Sequence, residues 1–230
     1  MSLRTAWRLD LPLTDYRQAL ALQHDCVEAR RADRLEHDLL ILLEHPPVFT
    51  LGRRGGRGNL LVPQEVLDRR NIEVVPIERG GNITYHGPGQ LVVYFILDLG
   101  ESRMGIRTLV DAMETAMVRT AADWGVRATG NPAFRGAWIE TRKLGSVGIT
   151  VRRGITFHGL AMNANTDLTP FGWINPCGIA GCAMTSLARE TGAQVPMERV
   201  RRCMAGHLAD IFELNLIEMD PTALKKIIST

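Results

Sequence analysis

The stretch DLLILLEH at residues 38–45, followed by Pro46-Pro47, is a nearly continuous apolar run of strand length. Such a run, ended by two prolines, indicates a strand that is buried on both faces. After this run, the sequence patterns predict a second strand at residues 48–51 and two more at residues 72–77 and 91–99. The sequence therefore places a sheet at the centre of the fold.

Residues 136–163 add three strand-like segments (GAWIET, LGSVGITV and GITFHGLAMN), separated by the turn-prone Arg142-Lys143 and residues 152–154. The clearest helix is predicted at residues 106–124, with Gly125 as its stop. Further helices are predicted at residues 14–33, 63–70, 186–190 and 197–214. Because no repeat or linker divides the chain, we expect one domain, residues 1–230, of the α+β (mixed α/β) class, with a mixed β-sheet flanked by helices.

The 230 residues are 45% hydrophobic and 23% charged, which excludes a disordered chain. The formal net charge of +2 is too small to indicate nucleic-acid binding. The four cysteines form no CxxC pair and predict no disulfide framework, and Cys26 and Cys203 are expected in helix cores. Since the apolar runs are too short to span a bilayer, we expect a cytoplasmic protein without a membrane or nucleic-acid partner.

Lysine is scarce: of the 27 basic residues, only Lys143, Lys225 and Lys226 are lysines. A GC-rich genome, which favours arginine codons, explains most of this bias but not why Lys143 was kept. Arginine is always protonated and cannot act as a base, whereas lysine can give up a proton. Lys143 is therefore either a solvated turn lysine or a residue whose site needs a removable proton.

Residues 79–90 (RGGNITYHGPGQ) are too rich in glycine and proline to predict regular structure. A tight turn between two strands rarely needs twelve such residues, and glycines let backbone N–H groups approach a ligand closely. The segment is not a phosphate-binding P-loop, because no Lys-Ser/Thr follows its glycines. We favour a ligand-binding loop.

Two other segments carry reactive side chains. Cys177 lies between a proline and a glycine, where it is either an exposed nucleophile or a buried structural cysteine. His158 precedes Gly159 inside a strand pattern, which suggests close packing against the backbone, although a lone histidine is more often a core residue. A metal site from His86, His158, Cys177 and Cys182 lacks the spacing of structural zinc ligands, so we expect no metal.

Together these segments resemble the octanoyltransferases of lipoic acid synthesis, the lipoyl(octanoyl) transferase family. The family's Arg-Gly-Gly-x-x-Thr-[Tyr/Phe/Trp]-His-Gly-Pro-Gly-Gln loop is matched by residues 79–90, and its Lys-[Leu/Val/Ile]-x-[Ser/Ala]-[Val/Ile]-Gly segment by residues 143–148. Its His-Gly-[Leu/Phe/Ile]-Ala-x-Asn segment is matched by residues 158–163, and Pro-Cys-Gly by residues 176–178. The resemblance covers roughly residues 40–190, in the family's order.

The resemblance implies the catalytic fold of biotin and lipoate-protein ligases and a two-step acyl transfer without a cofactor. Cys177 would take octanoyl from the thioester of acyl carrier protein. The group would then pass to a lysine ε-amine on a lipoyl domain of a 2-oxoacid dehydrogenase E2 subunit or on the glycine cleavage H protein. Lys143 is implied to act as general acid–base and to lower the pKa of Cys177. We expect a monomer.

The resemblance also implies a set of residues that line the acyl-binding site, here called the acyl-binding wall. His158, Gln90 and Gly178 are implied as supporting residues of that site. The wall residues are Arg79, Gly80, Gly81, Asn82, Ile83, Thr84, Tyr85, His86, Ser146, Val147, Gly148, Gly159, Leu160 and Ala161. An acidic carrier protein needs a basic docking surface. The available clusters are Arg53, Arg54 and Arg57 or, alternatively, Arg152 and Arg153.

Two other functions compete with this one. An ATP-dependent lipoate- or biotin-protein ligase would share the fold and the glycine-rich loop, but adenylation of an acid needs no cysteine nucleophile. A non-catalytic acyl- or partner-binding protein would retain its function when Cys177 or Lys143 is replaced by alanine. Both alternatives make the Pro-Cys-Gly segment unnecessary, so octanoyl transfer is preferred.

Overall fold

The structure is a computed structural model that describes residues 3–176 and 181–229, without the side chain of Arg57. Two sheets form its framework. Their strands, in chain order, are β1 (Arg4–Leu13), β2 (Asp38–Glu44), β3 (Val48–Leu51), β4 (Glu73–Pro76), β5 (Ile83–His86), β6 (Gln90–Ile96), β7 (Thr129–Gly130), β8 (Ala137–Ile139), β9 (Arg142–Arg152), β10 (Ile155–Asn163) and β11 (Leu214–Glu218). An eight-stranded mixed sheet has the order β11-β1-β2-β6-β10-β9-β8-β7, and a three-stranded sheet has the order β4-β3-β5.

Helices cover both faces of the large sheet. They are α1 (Tyr16–Arg31), α2 (Gln64–Asp68), α3 (Leu99–Ser102), α4 (Ile106–Ala122), α5 (Leu187–Thr191), α6 (Met197–Phe212) and α7 (Pro221–Ile228), with short 3-10 helices at Arg57–Asn59 and Thr169–Trp173. The side chain of Asp15 caps α1 by accepting the N–H of Gln18 at 3.0 Å. Within the described residues, no helix is long and apolar enough to cross a membrane.

The central strand β2 is buried on both faces, as the sequence predicts. Leu39, Ile41 and Leu43 face α1 and α7, whereas Leu40 and Leu42 face α4 and α6. Because side chains alternate along a strand, the continuous apolar run supplies both cores. The mixed sheet between helical layers confirms the predicted fold class.

Two predicted boundaries are wrong. The segment 79–90 is not irregular throughout, because Ile83–His86 forms β5, whose β-branched and aromatic residues pair antiparallel with β3. The turn before β9 falls at Glu140-Thr141, where Glu140 has a φ of 54°, and not at Arg142-Lys143. Lys143 consequently lies inside a strand, with its backbone paired to Trp138 of β8.

The cysteine predictions have different outcomes. Cys26 is fully buried in α1, as expected. Cys203 on α6 is only half-buried, because α6 turns that position away from its buried face and toward Asp123. Cys177 lies outside the described residues.

Candidate active site

A cavity lies where the small sheet meets the large sheet, on the face covered by α1. Its empty volume is about 500 Å³, including the mouth. Of the fourteen residues predicted for the acyl-binding wall, all but Tyr85 line this cavity, and Tyr16, Val92, Tyr94 and His158 complete the lining. The loop and the two strand segments that the sequence singled out therefore surround one space.

Arg79 fixes the loop that forms one side of the cavity. Its buried guanidinium donates to the carbonyl and hydroxyl oxygens of Thr50, both at 2.8 Å, and to the carbonyl of Gly80 at 3.0 Å. The backbone N–H of Gly80 donates to the carbonyl of Ile149 on β9 at 3.1 Å. The loop is thus hydrogen-bonded to both sheets.

The opposite wall is largely backbone. Gly148, Val147 and Ser146 of β9 pair with Gly159, Leu160 and Ala161 of β10, respectively. A Cβ on Gly148 would lie 3.1 Å from the Arg79 side chain and 3.2 Å from the carbonyl of Gly80, whereas one on Gly159 would lie 2.0 Å from the carbonyl of Val93. Glycine is therefore required at position 159, where β10 lies close to the backbone of β6. At position 148, the missing side chain keeps the cavity wide.

Buried tyrosine and histidine rings pack behind the loop. Nδ1 of His45 donates to the carbonyl of Thr14 at 2.7 Å, so its Nε2 accepts the hydroxyl of Tyr94 at 2.6 Å. Nδ1 of His86 donates to Oε1 of Gln90 at 2.7 Å. Burial lowers the pKa of His45 to about 4 and that of His86 to about 3, so both rings are neutral near pH 7.

His158 also faces this cavity, from a strained position in β10. Its φ is 60°, and its backbone N–H donates to Oε1 of Gln23 in α1 at 2.8 Å. The ring is buried, which lowers its pKa to about 3, and neither ring nitrogen has a hydrogen-bond partner among the described residues. The same part of the chain contains no group of three or more His, Cys, Asp or Glu residues that could hold a metal ion.

Lys143 lies in a groove beside the cavity. The groove and the cavity share residues 80–82 and 147–148, so the two spaces adjoin at these residues. The side chain is 1% exposed; its Nζ donates to the carbonyl of Arg135 at 2.9 Å and lies 5.0 Å from the centre of the Trp138 ring. The Lys143 side chain therefore contacts a backbone carbonyl and an aromatic face where the groove adjoins the cavity.

The described residues on either side of residues 177–180 are hydrogen-bonded to the body of the protein. Before them, the N–H of Asn175 donates to the carbonyl of Asn59 at 2.9 Å. After them, the N–H of Lys143 donates to the carbonyl of Ala183 at 2.8 Å, and its carbonyl accepts the N–H of Thr185 at 2.9 Å. Cys177 and Gly178 themselves lie outside the described residues.

Two predicted residues occupy positions behind the cavity. Tyr85 points to the opposite side of β5, where it packs on Phe49 and Phe171, and burial raises its pKa to about 12. Gln90 holds His86 and also donates to Oδ1 of Asn163 at 2.9 Å. Because side chains alternate along β5, Tyr85 lies on the side of the strand opposite to Thr84 and His86.

The basic clusters differ in their surroundings. Arg53 and Arg54 are exposed on the loop after β3, and Arg54 lines the groove of Lys143. Arg152 instead pairs with Glu78 at 2.8 Å, and Arg153 lies in the turn before β10 with a φ of 50°. Among the arginines of these clusters whose side chains the structure describes, Arg54 borders the groove.

Residues 15–209, most of the chain, match the family described as the lipoyl protein ligase A/B catalytic domain. Two solved structures share the fold. A bi-partite lipoate protein ligase from Thermoplasma acidophilum has a TM-score of 0.74 and 16% identity, covering 99% of this chain and 93% of that one. A lipoate-protein ligase A bound with ATP has a TM-score of 0.73 and 15% identity, covering 98% of this chain and 95% of that one.

Relatives of higher identity define the family more narrowly. An octanoyltransferase from Desulfotalea psychrophila is 48% identical over 206 residues, covering 89% of this chain and 92% of the relative. An octanoyltransferase from Syntrophobacter fumaroxidans is 43% identical over 211 residues, covering 92% of each chain. The chain therefore belongs to the octanoyltransferase family of acyltransferases, as its motifs predict.

Proposed function

We propose that this protein transfers an octanoyl group from octanoyl-acyl carrier protein, through a thioester on Cys177, to the ε-amine of a lysine on a lipoyl domain. The observation that most supports this function is the buried Lys143 in a groove that shares five lining residues with the cavity. The cavity would hold the acyl chain, and the groove would hold the reacting ends of donor and acceptor.

The first step is a thiol–thioester exchange. Lys143 stabilises the Cys177 thiolate, which attacks the carbonyl carbon of the octanoyl thioester. The bond to the carrier's sulfur breaks, and that sulfur leaves with the proton that Cys177 gave up, delivered through Lys143. Because one thioester replaces another, the step is close to energetic balance.

The second step forms an amide. The neutral amine of the acceptor lysine attacks the same carbonyl carbon, the bond to Cys177 breaks, and the proton lost by the amine returns to the cysteine sulfur through Lys143. An amide is more stable than a thioester, so this step runs downhill without ATP. Shielding the acyl-enzyme from water prevents its hydrolysis between the two steps.

The cavity supplies the binding energy for the acyl chain. Burying seven CH₂ or CH₃ groups at about 0.8 kcal/mol each contributes roughly 5–6 kcal/mol before entropic losses. The lining joins apolar side chains such as Val92 and Leu160 to the glycine-rich backbone of β9 and β10. This composition suits an unbranched aliphatic chain.

We further propose that the acidic carrier protein docks at Arg53 and Arg54, because Arg54 borders the groove. Reversing both charges to glutamate should raise the KM for octanoyl-carrier protein while leaving kcat nearly unchanged. The same reversal at Arg152 and Arg153 is the matched control. An unchanged KM in the Arg53/Arg54 variant would remove this docking site.

The test of the reaction is a transfer assay without nucleotide. Octanoyl-carrier protein and an apo lipoyl domain are incubated with the enzyme, and octanoylated lipoyl domain is measured by mass spectrometry. We expect transfer without ATP, and none from free octanoate with or without ATP. Transfer of free octanoate that occurs only with ATP would instead establish the ligase alternative. The same assay applies to lipoyl domains of E2 subunits and to the H protein as acceptors.

A further inference from the structure

Glu114 is an acidic side chain on the buried face of α4. Its neighbours on that face, Met113 and Met117, are fully buried in the core, and Glu114 itself is 6% exposed. A carboxyl group in such a position is costly unless it is hydrogen-bonded and paired. The sequence gives no motif for it, and neither the cavity nor the groove is lined by it.

One peptide group connects Glu114 to Lys143. The N–H of Gly136 donates to Oε1 of Glu114, and the carbonyl of Arg135, at the other end of the same peptide group, accepts Nζ of Lys143 at 2.9 Å. The side chain of Arg135 also reaches Oε1 of Glu114, with Nε at 3.2 Å. A carboxylate on the N–H of a peptide polarises it and makes its carbonyl a better acceptor for an ammonium.

The peptide group has little freedom to move. Gly136 has a φ of 134°, and a Cβ there would lie 2.2 Å from the carbonyl of Gly145 and 2.9 Å from Cε of Lys143. The turn therefore packs directly against the lysine side chain. If Glu114 no longer accepted the N–H of Gly136, the peptide group would shift. The ammonium of Lys143, which donates to the same peptide group, would shift with it.

The charges around Glu114 have opposing effects on it. Burial raises the pKa of its carboxyl group, and the nearby Asp111 adds to this, whereas the N–H of Gly136, the guanidinium of Arg135 and the ammonium of Lys143 favour the charged form. The electrostatic interaction between Glu114 and Lys143 acts in both directions. The carboxylate thus provides a countercharge for the buried ammonium.

We propose that Glu114 is a positioning residue for Lys143: acting through the Arg135–Gly136 peptide group, it holds the ammonium in the groove beside the cavity. The proposal rests on the acid–base role of Lys143 proposed above. It assigns to the reaction a residue that contacts neither the acyl chain nor the reacting atoms. Its effect is therefore expected in catalysis more than in substrate binding.

The test compares Glu114→Gln with Asp111→Asn. Asp111 lies on the same helix and pairs with Arg135, but its side chain is exposed. Glutamine keeps the shape of Glu114 and an oxygen for the N–H of Gly136, and it removes the charge. We expect Glu114→Gln to lower kcat about tenfold with the KM for octanoyl-carrier protein within about twofold, while Asp111→Asn stays near wild type.

The pH profile separates positioning from folding. Glu114→Gln removes a negative charge beside the groove, which favours the less protonated state of the groups that react there, so the profile of kcat/KM should shift toward lower pH. An unshifted pH profile would overturn the inference. This holds both when kcat falls together with thermal stability and when kcat stays at the wild-type value. A wild-type enzyme that transfers no octanoyl would instead refute the proposed function itself.

Discussion

The backbone N–H of Lys143 donates a 2.8 Å hydrogen bond to the carbonyl oxygen of Ala183. The carbonyl of Lys143 in turn accepts the N–H of Thr185, so strand β9 holds the chain that follows residues 177–180 by its main chain. The side chain of Lys143 takes no part in these two bonds. Changes to that side chain can therefore test its chemistry without releasing the segment.

Replacing Lys143 with arginine should abolish most acyl transfer. Arginine keeps the positive charge and can still stabilise a thiolate, but it cannot give up a proton at ordinary pH. General acid–base catalysis typically contributes at least about a hundredfold, so we expect a loss of that size in kcat. Steady-state kinetics with octanoyl-carrier protein measures it.

Lys225→Arg in α7 is the matched control, because it makes the same exchange at an exposed position and should leave kcat unchanged. Thermal unfolding of both variants checks that folding is intact. Near-normal turnover in Lys143→Arg would reduce Lys143 to a fixed positive charge.

Replacing Gly148 with alanine should narrow the cavity. The added Cβ would lie 3.1 Å from Cδ of Arg79 and 3.2 Å from the carbonyl of Gly80. Since one methylene in a hydrophobic pocket changes discrimination by about tenfold or more, we expect kcat/KM for octanoyl to fall about tenfold relative to a shorter acyl chain. Competition between hexanoyl- and octanoyl-carrier proteins measures this ratio.

Gly206→Ala, in α6, provides the comparison, because a Cβ there meets no atom within 4 Å among the described residues. It should leave the ratio unchanged. An equal ratio in Gly148→Ala and the wild type would mean that the acyl chain does not pass between Gly148 and Arg79.

Stability should fall as the pH drops from 7.5 to 5.5. Burial lowers the pKa of His45 to about 4 and those of His86 and His158 to about 3, whereas unfolded histidine titrates near 6.5. The unfolded chain thus binds more protons below pH 6.5, and the stability present above that pH is lost as the pH falls toward 3–4. Each histidine should remove about 1 kcal/mol of unfolding free energy by pH 5.5.

Urea unfolding at the two pH values measures this loss. His86→Gln removes one of the three groups, so the fall should be smaller than in the wild type by about 1 kcal/mol, whatever its stability at pH 7.5. A fall as large in His86→Gln as in the wild type would show that His86 is not held neutral by burial.

The sequence predicts five strands of the large sheet, β2, β6, β8, β9 and β10, because these carry strong apolar or alternating patterns, but it does not predict β1, β7 and β11. The run at residues 38–44 becomes β2 and packs against helices on both faces. The sequence does not predict the four-residue strand β5, because glycines flank it and because its pairing with β3 is a long-range interaction that no local pattern contains. The resemblance includes Tyr85 in the wall with the rest of the loop, because the motif does not contain the side-chain alternation of β5.

Candidate-site residues that lie in sequence motifs could be predicted, whereas those that the fold brings together from separate elements could not. The wall residues lie in short contiguous segments and meet around one cavity. Tyr16 and Tyr94 come from a helix and a strand with no motif, and Glu114 reaches Lys143 through the peptide group of Arg135 and Gly136. Such contacts depend on how α1 and α4 pack on the sheet, which local sequence does not encode.

The central claim, a Cys177 thioester that carries the acyl group, is tested most directly by the intact mass of the protein after mixing with octanoyl-carrier protein and no acceptor. We expect the wild type and Cys182→Ser to gain one octanoyl group that neutral hydroxylamine removes, and Cys177→Ser to gain none that behaves in this way. Peptide mapping should place the group on Cys177. An adduct on Cys182 or on a lysine, or no adduct in an enzyme that still transfers octanoyl, would contradict the account.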